Sequence, residues 1–227
     1  MPVTLSDCAD AAGMKLRNRD HGQAKYFTHL REDVLGMVPA NARAFLSVGC
    51  GSGRTEAELV KRGCSVTGIE LMPGAAGAAR EHGLEVLEGD VSEMTPRLAG
   101  RAFDCLIYAD VLEHLADPVA VLRQHVPLLR PGGCAIVSVP NFRHHSVFRA
   151  LFLHGHIRYV DAGIFDYSHL RITTRKMVAE WFGEVGLRPD MTRYNLWRRR
   201  EKVVSAALLG SCREFLASQV VLRGIKP

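Results

Sequence analysis

The chain has 227 residues, of which 47% are hydrophobic and 23% charged, which fits a globular protein with one α/β domain and appended helices. The sequence contains no run of about 18 apolar residues, the length needed to span a membrane. The first residues lack the basic and apolar regions of a signal peptide. We therefore expect a cytoplasmic protein without a membrane partner. The net charge of +5 comes mostly from scattered arginines, which argues against a dedicated nucleic-acid surface.

Residues 1–40 are predicted to form an N-terminal helical cap, in which apolar residues share one helical face over 26–35. From residue 41 onward, strand-like apolar runs alternate with helical segments. Strands are predicted at 44–48, 65–69, 84–88, 103–108 and 134–139, and helices at 55–62, 75–81 and 118–129. This alternation is typical of βαβ units. The predicted fold class is therefore α/β, with a mostly parallel, doubly wound sheet in a domain over residues 41–227.

The alternation breaks after Asn141. The proline and two glycines at 130–133 are predicted to end a helix and turn the chain into the strand at 134–139. Residues 141–172 are rich in histidine, arginine and aromatic residues, and a long irregular insertion after a strand is typical of a lid. Beyond it, a helix is predicted at 173–186, followed by strands at 187–194 and 219–225 on either side of a helical segment at 198–215.

A glycine turn follows the first predicted strand, where Gly49, Gly51 and Gly53 form a G-x-G-x-G pattern. Glycines let a cofactor approach the backbone without a Cβ in the way. Glu70 ends the second strand, at about the 20-residue distance expected for a carboxylate that binds a ribose. Together these residues predict a pocket for an adenosine-containing cofactor.

The same turn does not fit a phosphate-bearing cofactor. The dinucleotide fingerprint needs a third glycine where this chain has Arg54, and the phosphate-loop lysine is absent. Glu56 in the first turn of the next helix would repel a phosphate. The sequence therefore predicts a nucleoside cofactor without phosphates.

Four motifs in order resemble those of class I S-adenosylmethionine-dependent methyltransferases. They are the glycine turn at 48–53, Glu70, the Gly-Asp-Val at 89–91, and the segment 103–115. The resemblance covers about residues 40–195. It implies S-adenosylmethionine as cofactor and a seven-stranded Rossmann-like sheet whose last strand runs antiparallel.

The resemblance also implies which residues hold the cofactor, since the strand ends meet at one crevice. Asp90 would accept a hydrogen bond from the adenine amino group while the backbone of Val91 reads the neighbouring ring nitrogen, and Ala109 with Asp110 would meet the amino end of the methionine part. A turn role for Asp90 and a helix N-cap role for Asp110 are the alternatives. The predicted cofactor set is Gly49, Cys50, Gly51, Gly53, Glu70, Leu71, Asp90, Val91, Ala109 and Asp110.

Methyl transfer to a hydroxyl group also needs a general base, for which histidine is suited at neutral pH. Residues 163–173 are similar to a Leu-Asp-x-Thr-His-Leu-Arg-Phe-Phe-Thr signature of methyltransferases in sugar, polysaccharide and natural-product pathways. We predict His169 as the base and Arg171 as a residue that orients the acceptor. The alternatives are a lid histidine bonded to backbone and an Arg171–Asp166 ion pair, and His114 is expected to be structural.

The predicted function is methyl transfer to an oxygen of a small-molecule acceptor, with glycosylated metabolites as one class. N-methylation of a small molecule or nucleic acid, and a non-catalytic cofactor-binding subunit, stay open. A nucleic-acid base is disfavoured because the Asn/Asp-Pro-Pro-Tyr/Phe tetrad is missing after the fourth strand.

No metal site is predicted, because the lid residues that could ligate a cation lack a recognised spacing. These residues are His154, His156, Asp161 and Asp166. The six scattered cysteines are expected to be free thiols. The oligomeric state stays open, with a homodimer as one option.

Overall fold

The structure, a computed structural model, describes residues 30–196, 199–207 and 210–227. Within these residues seven strands form one sheet in the order β3-β2-β1-β4-β5-β7-β6. The strands are β1 (Ala44–Val48), β2 (Ser65–Glu70), β3 (Glu85–Glu88), β4 (Phe103–Ala109), β5 (Leu129–Pro140), β6 (Arg188–Asn195) and β7 (Gln219–Ile225). β1 to β5 pair in parallel, and β7 lies antiparallel between β5 and β6. The predicted α/β sheet with an antiparallel last strand is confirmed.

Helices connect the strands and cover the sheet. In the described residues they are α1 (Glu32–Leu35), α2 (Arg54–Lys61), α3 (Pro73–Glu81), α4 (Val91–Met94), α5 (Pro118–His125), α6 (His145–Phe148), α7 (Arg175–Glu184), α8 (Arg199–Ala207) and α9 (Arg213–Leu216). Short 3-10 turns lie at Thr95–Leu98, Leu112–His114 and Val126–Leu128, and a π turn lies at Arg149–Leu153. None of the described helices has the length and apolar character needed to cross a membrane.

Both faces of the sheet are buried, as a parallel sheet requires. Successive strand residues alternate between the faces, so Leu46 and Val48 pack in the core layer that contains α5 and α7, while Phe45 packs in the layer that contains α2 and α3. This two-layer burial fixes the register of the central strands. Their parallel pairing brings the carboxyl ends of β1, β2, β3 and β4 to one edge.

The predicted elements between 118 and 139 are wrong at their boundaries. α5 ends at His125, because Pro127 removes a backbone donor and its ring crowds the preceding turn. β5 begins at Leu129, which pairs with Phe103, and the ladder resumes at Cys134 after an irregularity. Residues 130–133 are therefore part of the strand rather than a turn that precedes it, and Gly132 has a φ of 76°.

The predicted N-terminal cap lies mostly outside the described residues. Its described part contains the single-turn helix α1, and the helix predicted over 26–35 is described only from residue 30. The boundary at residue 40 stays a prediction.

The cysteines of the described residues are free thiols, as predicted, while Cys8 lies outside them. Cys105 and Cys134 face each other on neighbouring strands, with their Sγ atoms 3.6 Å apart in the core.

His125 at the end of α5 is buried and held by two hydroxyl groups. Its Nδ1 lies 2.8 Å from Tyr108 Oη and its Nε2 lies 2.8 Å from Thr95 Oγ1. Because burial disfavours the imidazolium form, the pKa of His125 is lowered to about 4. The unfolded chain, with a pKa of about 6.5 at this residue, binds the proton more tightly.

This difference predicts a loss of stability as pH falls below about 6.5 toward 4, because only the unfolded state gains the proton in that window. Between pH 7 and pH 5 the contribution is about 2 kcal/mol, taking about 1.4 kcal/mol per pH unit. Urea unfolding at the two pH values measures it. A His125→Gln variant, which cannot titrate there, should lose about 2 kcal/mol less over the same interval. An identical pH dependence in both proteins would refute the assignment.

Candidate active site

The glycine turn connects β1 to α2 and packs tightly against its surroundings. Gly49, Gly51 and Gly53 have φ angles of 64°, 55° and 73°, a region that side chains disfavour. A Cβ at Gly49 would lie 2.5 Å from the Val111 side chain, and one at Gly53 would lie 2.9 Å from the Ala79 backbone. The turn is therefore held between α3 and the loop that follows β4.

Glu70, at the end of β2, holds this turn in place. The residue is buried, with 5% of its surface exposed. Its Oε2 accepts a hydrogen bond from the Gly51 amide at 2.7 Å, and its Oε1 accepts one from the Met72 amide at 2.9 Å. Each carboxylate oxygen can accept a further bond. The structure thus brings Glu70 and the glycines together as predicted, with the carboxylate fixed in place.

Two other predicted residues flank this pair and differ in exposure. The Cys50 thiol packs beside Gly68 of β2, and burial raises the pKa of this thiol, so it stays protonated. Leu71 is 48% exposed beyond the strand end. Cys50 can therefore contribute its backbone to a pocket, whereas Leu71 presents an apolar side chain.

Asp90 follows β3 and caps α4. Its Oδ1 accepts hydrogen bonds from the Ser92 amide at 2.8 Å and the Ser92 hydroxyl at 2.5 Å. The first helical amide, at Val91, has no acceptor within its own helix. The amide of Gly89 donates to the Glu70 carbonyl oxygen at 2.9 Å, which joins this loop to the end of β2. The turn role considered for Asp90 is present, and the predicted adenine contact stays a prediction.

Asp110 follows Ala109, the last residue of β4, and has a φ of 59°, so it is not the helix N-cap that the sequence allowed. Its carboxylate accepts hydrogen bonds from Arg31, from Ser138 Oγ at 3.0 Å and from Gln219 Nε2 at 2.7 Å. Arg31 also bonds Ser138 and Asp33. A polar cluster therefore joins the segment before β1 to the ends of β4, β5 and β7.

The sequence did not reveal Arg31 and Gln219 as site residues, because they are 79 and 109 positions from Asp110 and no local motif marks them. Burial alone would lower the pKa of Arg31, but the charges of Asp110 and Asp33 outweigh it and raise that pKa. The Gln219 Oε1 is buried and, among the described residues, has no hydrogen-bond partner. The cluster thus offers a cation, a carboxylate and an orphaned acceptor, which fits the two charges of an amino-acid group.

Glu56 lies beneath the turn and not at its mouth. It is 4% exposed and accepts a hydrogen bond from Ser47 Oγ at 2.7 Å. Burial raises its pKa, which favours the neutral carboxyl. The phosphate-repelling role expected for Glu56 therefore has no geometric support.

A cluster of Glu113, His114 and His169 lies next to this polar site. One ligand atom from each residue lies within 4.8 Å of the others, and the two imidazole centroids are 4.9 Å apart. The Glu113 carbonyl oxygen accepts hydrogen bonds from the amides of Leu170 and Arg171. These bonds attach the 163–173 segment to the loop that follows β4. The structure therefore places His169 beside the crevice, in contact with His114.

Hydrogen bonds define the tautomers of both histidines. His169 Nδ1 lies 3.3 Å from the Ile164 carbonyl oxygen and His114 Nδ1 lies 3.2 Å from the Ser168 carbonyl oxygen. A carbonyl only accepts, so each Nδ1 carries a proton, and in the neutral form of each ring Nε2 is the nitrogen with the free electron pair. Burial, helped by His169, lowers the pKa of His114, which keeps that ring neutral at pH 7.

Glu113 is fully buried, and its two carboxyl oxygens have no hydrogen-bond partner among the described residues. Burial and the charge of Asp110 raise its pKa well above the usual range. With two imidazoles this carboxyl could hold a divalent cation. The predicted absence of a metal stays a prediction, and the lid residues weighed for one (His154, His156, Asp161 and Asp166) do not form a donor cluster in the described chain.

Residues 141–172, for which a lid role stays a prediction, contain α6, the π turn and a short bridge between Val160 and Asp166. Arg171 is exposed and forms no ion pair with Asp166 in the described residues, since Asp166 accepts from Ser168 instead. A cavity of about 510 Å³ lies along this segment and is lined mainly by apolar side chains, namely Phe142, Val147, Phe148, Leu151, Phe152 and Phe215.

Comparison with known proteins agrees with this geometry. A family model described as a methyltransferase domain matches residues 46–137. A ubiquinone biosynthesis O-methyltransferase of Xylella fastidiosa is 31% identical over 176 residues, which cover 73% of this chain and 70% of that protein.

Solved structures show the same fold. A SAM-dependent methyltransferase from Archaeoglobus fulgidus has a TM-score of 0.63 at 15% identity, covering 90% of this chain and 94% of its own. The N-methyltransferase NodS from Bradyrhizobium japonicum, solved with S-adenosyl-L-homocysteine, has a TM-score of 0.54 at 18% identity, covering 92% and 90%. The chain belongs to the class I S-adenosylmethionine-dependent methyltransferases, and S-adenosylmethionine is its cofactor.

Proposed function

We propose that this enzyme methylates a hydroxyl oxygen of a small-molecule acceptor that carries an apolar part. The observation that carries the proposal is the His114–His169 pair beside the crevice, in which Nδ1 of each ring donates to a carbonyl oxygen and Nε2 is the nitrogen left to act as a base. An alcohol or phenol stays protonated at neutral pH and needs such a base.

The cofactor residues divide into three groups in this proposal. Glu70 accepts hydrogen bonds from the ribose hydroxyls. Asp90 and the Val91 amide bind the adenine. The charged amino-acid end is held by Arg31, Asp110 and Gln219. The glycines and Cys50 form the floor of the pocket through their backbone, while Leu71 and Ala109 line it. Bound S-adenosylmethionine supplies an electrophilic methyl group on a sulfonium.

His169 takes the proton of the acceptor hydroxyl at Nε2, while its Nδ1–H donates to the Ile164 carbonyl oxygen and so holds the ring orientation. His114 packs against that ring and limits its rotation. The 163–173 segment, which donates two backbone hydrogen bonds to the Glu113 carbonyl oxygen, would exclude water from the reacting atoms in this proposal. The exposed Arg171 would orient the acceptor from the lid, as the sequence predicted.

The cavity along residues 141–152 supports an acceptor with a hydrophobic portion, because six of its nine lining side chains are apolar and Arg143, His144 and His145 are the others. The curated relatives are named for ubiquinone biosynthesis and O-methylation, which points the same way. A glycosylated acceptor, which the lid signature suggested, is the second candidate.

An acceptor panel tests this proposal. Purified protein with radiolabelled S-adenosylmethionine should methylate phenols or catechols with an apolar substituent in an acid-stable ether linkage. Sugar hydroxyls, small amines and RNA are the comparison acceptors, and the reaction should tolerate a chelator. Turnover on amines or RNA alone would contradict O-methylation, S-adenosylhomocysteine binding without any turnover would indicate a non-catalytic subunit, and loss of activity with the chelator would assign the Glu113 cluster to a cation.

A further inference from the structure

An exposed apolar projection follows α6. The π turn Arg149–Leu153 contains no buried residue, and its last three residues, Leu151, Phe152 and Leu153, are 47%, 74% and 65% exposed. Surface helices normally turn their apolar residues toward the core, so three consecutive exposed ones indicate a turn that projects from the body of the protein. We propose that this apolar tip, residues 148–153, inserts into the surface of a bilayer that contains anionic lipids.

The apolar tip is a continuous patch and not a set of scattered side chains. Phe148 is 57% exposed, and its ring stacks on that of Phe152 with the centroids 4.9 Å apart, as helical positions four apart allow. At about 200 Å² for each whole residue, the exposed parts of residues 148 and 151–153 amount to roughly 500 Å². A single exposed apolar residue needs no explanation, but a contiguous patch of this size is often a binding surface.

The charges around the apolar tip indicate which kind of surface it meets. Residues 142–160 contain three arginines and four histidines but no aspartate or glutamate. Arg143 pairs with Glu214, whereas Arg149 and Arg158 are exposed and form no ion pair with another described residue. Two available guanidinium groups beside an apolar projection complement lipid phosphates that lie above a hydrocarbon layer.

The chain that follows the apolar tip turns back toward it. The His156 amide donates to the Ala150 carbonyl oxygen at 2.9 Å, which keeps the next residues near the π turn. Among these, Tyr159 is 67% exposed. Tyrosine and arginine suit the headgroup region, because each combines an apolar ring or stem with a polar end. A fluid bilayer accepts a convex tip without a matching groove, which a protein partner would have to supply.

Insertion of the apolar tip differs from spanning a membrane. The expected absence of a membrane partner rested on spanning segments and a signal peptide, neither of which an inserting turn requires. Phe148, Leu151 and Phe152 also line the cavity along residues 141–152. An acceptor dissolved in the bilayer could therefore enter this cavity at the point of contact, and this consequence, unlike the docking itself, rests on the proposed function.

Sedimentation of the full-length protein with lipid vesicles tests the proposal without any acceptor. We expect binding to phosphatidylcholine vesicles that contain about 30% phosphatidylglycerol, and at least about tenfold weaker binding to pure phosphatidylcholine. The double variant Phe152→Ser, Leu153→Ser should weaken binding to the anionic vesicles at least about tenfold, and Arg149→Gln about fivefold. Met191→Ser, at a 39% exposed apolar residue of β6, and Arg62→Gln, after α2, are the matched controls and should leave binding unchanged.

A fluorescence readout measures insertion separately, and S-adenosylhomocysteine binding reports that each variant is folded. Lipids brominated in the acyl chains should quench the added fluorescence of Phe152→Trp but not that of Met191→Trp. Equal vesicle binding by the wild type and the folded Phe152→Ser, Leu153→Ser variant would place the contact elsewhere and overturn the proposal. The absence of vesicle binding by the wild type would overturn it as well. If light scattering then showed a dimer that the double variant dissociates, a second copy of the chain would be the occupant.

Discussion

Replacing Glu70 by alanine is expected to weaken S-adenosylhomocysteine binding by at least about 100-fold. The proposed ribose contact consists of two hydrogen bonds to a charged group, each contributing about 1.5–3 kcal/mol, and about 1.4 kcal/mol corresponds to a tenfold change in Kd. The same carboxylate holds the Gly51 amide, so its loss also loosens the turn beneath the cofactor. Calorimetry with S-adenosylhomocysteine measures the effect.

Glu88→Gln is the matched control for this variant. Glu88 ends the neighbouring strand β3 directly opposite Glu70, yet it is exposed and pairs with Arg80 on the surface. Its replacement should change the Kd less than about twofold, because a surface ion pair contributes little. An intact affinity in a folded Glu70→Ala protein would contradict the proposed ribose contact.

Replacing His169 by alanine is expected to lower kcat for an oxygen acceptor by about 100-fold or more, while cofactor affinity stays nearly intact. General-base catalysis contributes about 10²–10⁴-fold, and in this proposal the imidazole contacts the acceptor and not the cofactor. Single-turnover rates at saturating S-adenosylmethionine measure the chemical step separately from binding.

The pH profile separates a base from a merely structural histidine. In the wild-type protein the rate should fall at acidic pH as the base becomes protonated, and this limb should disappear in the residual activity of His169→Ala. His154→Ala removes an exposed lid histidine and serves as the control. Unchanged turnover in His169→Ala would remove His169 from the base role and leave His114 as the candidate.

The proximity of the glycine turn and Glu70 could be predicted, because both are marked by short motifs in the sequence. Gly49 to Gly53 and Glu70 lie on consecutive βα units, so the parallel sheet brings them together at adjacent strand ends. The buried strands were also predictable from their apolar runs, whereas the start of β5 was not, because the pairing of Leu129 with Phe103 and an irregularity in the ladder override the local turn signal.

The sequence by itself determined the α/β fold class and predicted the adenosine pocket and the candidate histidine, because glycine spacing, strand-end acids and apolar periodicity are local properties. Only the tertiary structure decided that Arg31 and Gln219 reach Asp110 and that Glu113 and His114 lie against His169. In the Asp110 cluster the two residues in contact, Asp110 and Gln219, are 109 positions apart in the sequence. Burial decides which charges need partners, and it exists only once the layers have packed.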